Sequence, residues 1–291
     1  MPQTKVIMDL IDLHTHSSAS DGSLSPRELV EYAVKKGAAA IALTDHDTIE
    51  GLGEARQAAR EKGFELVPGL EISADYPGGT MHILGYFIDP DDPVLGQELS
   101  RLQEARRERN PKIIAKLQQL GIPVTYEQVR ALAPGQVGRP HIAQAMLQIG
   151  AVKTLDEAFR NFLTKGAPAY VEKFRYPPEK AVDLIIRAGG VPVLAHPFTL
   201  KFSSPEQLRG IVAALKDRGL RGLECLYPEH TAEQTRRYAA LAEGLGLAVT
   251  GGTDFHGKNK EGVDLLTGYG SLSIPYRLLE ELKRFQPGQT Q

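Results

Sequence analysis

"IDLHTHSSASDG", residues 11–22, ends an apolar run on two histidines two positions apart and places an aspartate five residues after the second. A strand that carries apolar side chains into a core has no packing reason to finish on imidazoles. On a strand, residues i and i+2 project to one side, so His14 and His16 can grip one ion together, and Asp12 shares their parity. Outward from this stretch, short apolar runs alternate with helical patterns: "MDLIDL" (8–13), a helix from Pro26 to Lys36, "AAIAL" (39–43), a helix from about Ile49 to Lys62, and "FELVPGLEI" (64–72). Ser25 before Pro26, with Glu28 at the third helical position, is an N-cap signature, and Gly37 and Gly63 stand where C-cap glycines belong. "MHILGYFI" (81–88) follows through "DYPGGT" (75–80), which is too short for a crossover helix, so the fourth strand is expected antiparallel to the third.

From about Asp91 to Pro168 the pattern changes to consecutive helices, at 98–121, 125–132, 139–149 and 154–163. The earlier rhythm then resumes with a helix at 178–188, "GVPVLA" (190–195), a helix at 205–218, "GLECL" (222–226), a helix at 231–244 and "LAVTGG" (247–252), for seven core strands in all. The expected organisation is an α/β barrel-like domain made of residues 1–90 and 169–291, carrying a helical insertion subdomain at 91–168.

The bulk numbers frame the chemistry without deciding it. A chain of 291 residues with 42% hydrophobic content can bury a large core. A formal net charge of −2 gives no bulk attraction to nucleic acid or to an anionic membrane, so a polyanionic substrate has to be held by local charges or metal ions. The single cysteine, Cys225, excludes an internal disulfide framework, and it sits among apolar neighbours as packing rather than as a nucleophile. With no secretory signal, no apolar run of membrane-spanning length and no fixed-period repeat, a cytoplasmic protein is expected, with no membrane contact and no obligate protein partner.

Five of the eight histidines end core strands. His14 and His16 end the first, His46 follows the second in "TDHD" (44–47), His196 follows the fifth in "LAHP", and His256 follows the seventh in "GTDFH". In a barrel of parallel strands the carboxyl ends converge on one face. The hairpin brings Glu71 and His82 to the same edge. With Asp21 and Asp254 the donor set becomes His14, His16, Asp21, His46, Glu71, His82, His196, Asp254 and His256, too many for one ion. Imidazole and carboxylate donors without thiolates suit divalent zinc, manganese or iron, and two or three ions fit the spacing of metal-dependent phosphoryl transfer. Three divalent cations against Asp21, Glu71 and Asp254 leave about three positive charges, which favours a phosphate ester as the occupant. Asp21 also fits an Asp-Gly turn, and Asp45 and Asp47 read as partners of the ligands or as helix caps, with capping favoured for Asp47.

"DLHTHSSASDG", "ALTDHDT", "GLEISA", "HILGYF", "LAHP" and "GGTDFHG", in that order, resemble the PHP (polymerase and histidinol phosphatase) metallohydrolase family over nearly the whole chain. "VGRPHIAQ" (137–144) in the insertion resembles the stand-alone branch that contains a bacterial 3′,5′-nucleoside bisphosphate phosphatase and a 5′-to-3′ exoribonuclease. The resemblance implies a PHP fold, a TIM-barrel-like distorted (β/α)7 barrel with three divalent metal ions, Mn2+ favoured and Fe2+ or Zn2+ as alternatives, held by the nine residues above. It implies catalysis through those metals and the hydroxide they generate, under an insertion covering the active site. It also places the family's 5′-phosphate-binding arginine and histidine on Arg139 and His141. A nucleoside bisphosphate would then lose its 3′-phosphate, and a short 5′-phosphorylated RNA or DNA would lose its first nucleotide, by one and the same cleavage. The alternatives are a phosphatase of a small monoester such as histidinol phosphate, or a non-catalytic metal or nucleotide sensor. The charged helix around Arg101 to Arg109 reads as a solvated face, although a long RNA could use it. His230, near the start of the 231–244 helix, falls outside the site.

Overall fold

The computed structural model describes residues 9–288. The apolar runs form seven short strands: β1 (Ile11–Thr15), β2 (Ala40–Leu43), β3 (Glu65–Ala74), β4 (Met81–Tyr86), β5 (Val191–Leu194), β6 (Gly222–Leu226) and β7 (Ala248–Gly251). They lie side by side in chain order in one sheet. Every neighbouring pair is parallel except those of β4, which runs antiparallel to β3 and β5, as the short hairpin requires. The sheet curls until its edges meet: Thr15 bridges Phe255, just beyond β7, and the His16 N–H donates to the Phe255 carbonyl at 2.9 Å. The result is a nearly closed seven-stranded barrel, the distorted (β/α)7 form.

The helices are α1 (Pro26–Lys36), α2 (Leu52–Lys62), α3 (Pro93–Gln119), α4 (Tyr126–Ala131), α5 (Arg139–Gln148), α6 (Leu155–Ala158), α7 (Pro178–Arg187), α8 (Pro205–Asp217), α9 (Ala232–Gly244) and α10 (Arg277–Lys283). Ser25 caps α1 in a capping box with Glu28, and Gly37 and Gly63 close α1 and α2 in left-handed conformation. The expected start of the second helix at Ile49 is too early. Its N-cap is Gly51, which offers no side chain, and Asp47 caps nothing. The expected 154–163 helix is α6 followed by a π-helical turn, Phe159–Leu163. No helix among the described residues is long and apolar enough to cross a membrane.

Strand alternation sorts the barrel into two layers. Leu43, Leu70, Ile72, Ile83 and Leu223 pack outward against the helices. Ile11, Leu13, Ala42, Val67, Leu84, Tyr86 and Val193 fill the interior. α10, absent from the sequence expectations, seals the amino-terminal end of the barrel: Leu278, Leu279 and Leu282 join the interior cluster, and Ile11 N–H donates to the Ile274 carbonyl. With that end plugged by apolar side chains, the polar residues collect at the carboxyl ends of the strands. Between β4 and β5, residues from Ile113 to Ala169 build an apolar cluster of their own, while the first turns of α3 (Leu95, Leu99, Leu102) pack into the barrel's outer layer.

Leu279 is fully buried in the plug. Leu279→Ala is expected to lower unfolding free energy by about 2–5 kcal/mol, read as a lower urea midpoint. A loss under about 0.5 kcal/mol would show that α10 is not part of the barrel core.

Candidate metal centre

The register between β1 and β2 shifts by one residue, with Asp12 opposite Ile41 but Thr15 opposite Leu43. This irregularity breaks the parity that joins Asp12 to the two histidines. Asp12 faces the helix side with Ile41, where it accepts hydrogen bonds from Thr253 N–H (2.9 Å), Thr253 Oγ1 (2.6 Å) and Leu266 N–H (3.0 Å). It ties β1 to the segment after β7, and burial pushes its carboxyl up to about 6. His14 and His16 turn inward and are buried.

Glu71, from β3, stands at the centre with no exposed surface. Its Oε2 lies 2.8 Å from His46 Nδ1, 3.3 Å from His16 Nε2 and 3.4 Å from His14 Nε2. Its Oε1 lies 2.8 Å from His82 Nδ1 and 3.0 Å from His196 Nε2. Asp254 Oδ1 adds contacts at 3.1 Å to His16 and 3.4 Å to His14, and Asp21 Oδ1 lies 3.2 Å from His256 Nε2. All nine sequence-derived donors therefore meet at one place. Eight of them form three overlapping groups, His16–Asp21–His46–His256, His14–His16–Glu71–Asp254 and His46–Glu71–His82, each with donor atoms within 4.8 Å of one another. His196 joins through Glu71.

The donor atoms are arranged for cations. Ten buried side-chain N or O atoms among the described residues make no hydrogen bond, and six belong to this cluster: His14 Nε2, both ring nitrogens of His16, Asp21 Oδ1, His46 Nδ1 and Glu71 Oε2. Leaving buried polar atoms unsatisfied is costly, and so many converging on one point fit divalent metal ions. On two of the rings the opposite edge is occupied. His14 Nδ1 faces Glu224 Oε1 at 2.9 Å, and His256 Nδ1 faces its neighbour's carbonyl, Asp254 O, at 2.8 Å, which leaves the Nε2 lone pairs for the centre. Tyr227 and Lys260 both donate to Asp254 Oδ2 at 2.8 Å, so only Oδ1 points inward.

Backbone geometry sustains the cluster. Asp47, His196 and Asp254, all at strand ends beside it, hold φ of 53°, 23° and 53°, a region that non-glycine residues rarely adopt. A Cβ on Gly252 would lie 2.1 Å from His14 Cβ, so only glycine lets that segment pass behind the ligand. Asp45 organises the loop carrying Asp21, accepting from Ser17 N–H (2.8 Å), Ser17 Oγ (2.6 Å) and Ser20 Oγ (2.5 Å).

A cavity of about 880 Å3 opens above the cluster. Asp21, His46 and His82 line one end, and Arg106, Arg109, Arg139, Lys173 and Arg175 line another part of its wall. The solvated-face reading of Arg101–Arg109 is wrong for two of its residues. Arg106 and Arg109 are 9% and 3% exposed; they lie on the buried stripe Leu95, Leu99, Leu102, Arg106, Arg109, Ile113, Leu117 of α3. Arg106 and Lys173 donate to Asp47. Among the described residues, Arg109 and Arg139 have no carboxylate partner. Arg109 donates to Asn110 Oδ1, and Arg139 to the Leu163 carbonyl. Burial, and then the other arginines, lower both guanidinium pKa values, Arg139 to about 10. His141 is buried, and its Nδ1 accepts from Gly138 N–H at 3.0 Å.

Glu224, Tyr227, Lys260, Arg106, Arg109, Lys173 and Arg175 are the contributors that the sequence reading missed. Glu224 carried a signal, a carboxylate inside the apolar run "GLECL"; so did the two arginines at apolar-stripe positions of α3. Cys225 packs in the outer layer and His230 Nδ1 faces the Cys225 carbonyl, away from the cluster.

Burial alone would lower the His46 pKa, but Glu71 and Asp21 outweigh it and raise the metal-free imidazole to about 9. Below that pH the ring holds a proton that a cation must displace, so affinity for Mn2+ is expected to rise with pH up to about 9. Calorimetry at about pH 7.5 in two buffers of different ionisation enthalpy should show net proton release on Mn2+ binding. Heats independent of the buffer would contradict this.

A PHP domain model matches residues 12–166. The chain is 38% identical to a 5′-3′ exoribonuclease of Haemophilus influenzae, covering 87% of this chain and 95% of that protein. It is 35% identical to a 3′,5′-nucleoside bisphosphate phosphatase of Chromobacterium violaceum, covering 88% and 90%. A solved structure from Bifidobacterium adolescentis, described as a candidate metal-dependent phosphoesterase, superposes with a TM-score of 0.85 at 31% identity over 95% of this chain and 96% of that one. The barrel, the converging imidazoles and carboxylates at its open end, and these similarities over most of the chain agree that the chain belongs to the PHP family.

Proposed function

We propose that the protein is a metal-dependent phosphoesterase that hydrolyses the 3′-phosphoester of 5′-phosphorylated substrates. Nucleoside 3′,5′-bisphosphates would yield 5′-mononucleotides, and short 5′-phosphorylated oligonucleotides would be shortened from the 5′ end. The observation that carries this reading is one cavity with unsatisfied metal donors at one end and, in its wall, two arginines without carboxylate partners, Arg109 buried and Arg139 part-buried. The relatives named for these two activities support it.

In this reading the nine donors would hold three divalent cations, each neutral imidazole giving its one lone pair to a single ion. Mn2+ is the favoured ion, and Fe2+ or Zn2+ suits the same ligands. Such ions lower the pKa of water for attack on phosphorus and neutralise charge on the phosphoryl oxygens. The chain supplies the rest. Glu224 orients His14, and Lys260 with Tyr227 orients Asp254. Arg139 grips the substrate's 5′-phosphate, and Arg109, buried and carboxylate-free in the same wall, adds a second guanidinium fork. His141 accepts at Nδ1, so its neutral ring carries its proton on Nε2 as a donor for phosphate oxygen. Residues 91–168 act as an insertion subdomain that covers the metal centre and fixes the distance between the substrate's two ends.

With Mn2+ present, adenosine 3′,5′-bisphosphate and a 5′-phosphorylated short RNA are expected to be turned over far faster than histidinol phosphate. Arg139→Ala should raise KM for the bisphosphate by about 10–100-fold, the worth of a charged hydrogen bond, with a smaller change in kcat. It should leave adenosine 3′-phosphate, which has nothing to place there, nearly unaffected. Equal losses on both substrates, or faster turnover of histidinol phosphate, would contradict the assignment.

A further inference from the structure

The dipeptide His46–Asp47 is gripped from the insertion side by separate parts of the chain. Gln103, on α3, donates to the Asp47 carbonyl at 3.3 Å, and Gln136, in the loop before α5, donates to the His46 carbonyl at 3.5 Å. Arg106 Nε and Nη2 reach Asp47 Oδ2 at 3.1 and 2.5 Å, and Lys173 Nζ, from the segment returning to the barrel, reaches the same oxygen at 3.1 Å. The other carboxylate oxygen belongs to the barrel: Ser73 N–H donates to Oδ1 at 2.8 Å, while the Asp47 N–H donates to the Glu71 carbonyl at 2.9 Å. Ser73 Oγ closes the knot, donating to Oδ2 at 3.1 Å and accepting from Arg106 at 3.2 Å. Asp47 is fully buried. One carboxylate thus joins the strand that carries Glu71 to the helix that carries Arg109, one turn beyond Arg106, and to the segment that carries Arg175, two residues beyond Lys173.

A counter-ion that only neutralised Arg106 and Lys173 would not need to follow His46 directly or to lock its own backbone onto Glu71. We propose that Asp47 is a positioning residue that couples the two parts of the cavity: phosphate binding at its arginines and cation retention by His46, Glu71 and His82 strengthen each other through this knot. The proposal rests on the phosphoesterase reading above. It adds that the insertion is part of the metal centre's frame as well as a holder for substrate.

The test measures Mn2+ binding by calorimetry to the full chain, with and without saturating 5′-AMP, in the wild type and in Asp47→Asn. In the wild type, AMP is expected to tighten Mn2+ about tenfold, and by reciprocity Mn2+ tightens AMP by the same factor. In Asp47→Asn that factor should fall below about twofold while AMP still binds the metal-free protein. A variant that binds Mn2+ more weakly but keeps the tenfold response to AMP would show a merely structural role and overturn the proposal. So would a wild type that binds AMP and hydrolyses the bisphosphate yet shows no mutual tightening, an outcome that spares the functional reading. A wild type that neither binds AMP nor hydrolyses the bisphosphate removes both. If Asp47→Asn gives no cooperative thermal transition, Ser73→Ala carries the test. It deletes only the hydroxyl between Arg106 and Asp47, and it should reduce the AMP effect about two- to threefold; an unchanged effect overturns the coupling.

Discussion

Five imidazoles, on β1 and β4 and just beyond the ends of β1, β2 and β5, approach the two oxygens of one buried carboxylate, Glu71, and the rest of the molecule is arranged around keeping them there. A carboxylate without solvent exposure is expensive, and so are imidazole nitrogens that make no hydrogen bond. Burial alone would raise the Glu71 carboxyl, but His46, His82 and His14 outweigh it and hold it well below the ordinary range. Divalent cations held by these residues would satisfy lone pairs and charge together. The barrel delivers the ligands because its strands end on one face. Its opposite end is closed by α10 and so takes no part in the chemistry.

The second constraint is electrostatic and opposite in sign. Arg109 is buried and Arg139 part-buried, neither with a carboxylate partner among the described residues, and Lys173, pushed down to about 7 by burial and then by Arg106, shares Asp47 with that arginine. Guanidinium groups kept out of water in a cavity wall are held ready for an anion that arrives with the substrate. A substrate with phosphates at two ends answers both demands, one at the metals and one at the arginines. Asp47 lies between the two and contacts the scaffolding of each.

The strand order, the antiparallel β4 and the convergence of the nine candidate donors were legible because their signals are local. Histidines at the ends of apolar runs, together with a hairpin too short for a crossover, determine them. What stayed hidden depends on tertiary context. Asp12 has the parity of His14, and only a register shift against β2, invisible along one strand, turns it away. Arg106 and Arg109 looked solvated when charge was averaged along α3. Their placement on the Leu99–Leu102–Ile113 stripe was the better guide, because a charge on an apolar stripe must find a partner in the fold. Asp47 has the composition of a helix cap, but α2 starts later and the carboxylate is drawn to cations from residues 106 and 173, which are remote in sequence. α10 consists of one short amphipathic stretch and becomes recognisable as a plug only once the open end of the barrel exists.

The central claim is that Glu71 and its five imidazoles form one centre shared by several cations. Anomalous diffraction from crystals grown with Mn2+ tests it most directly. The account predicts discrete manganese peaks inside the His14–Glu71–Asp254, His16–Asp21–His256 and His46–His82 groups, with Glu71 in contact with more than one of them. A single peak away from Glu71, or none among these residues at saturating Mn2+, would contradict it.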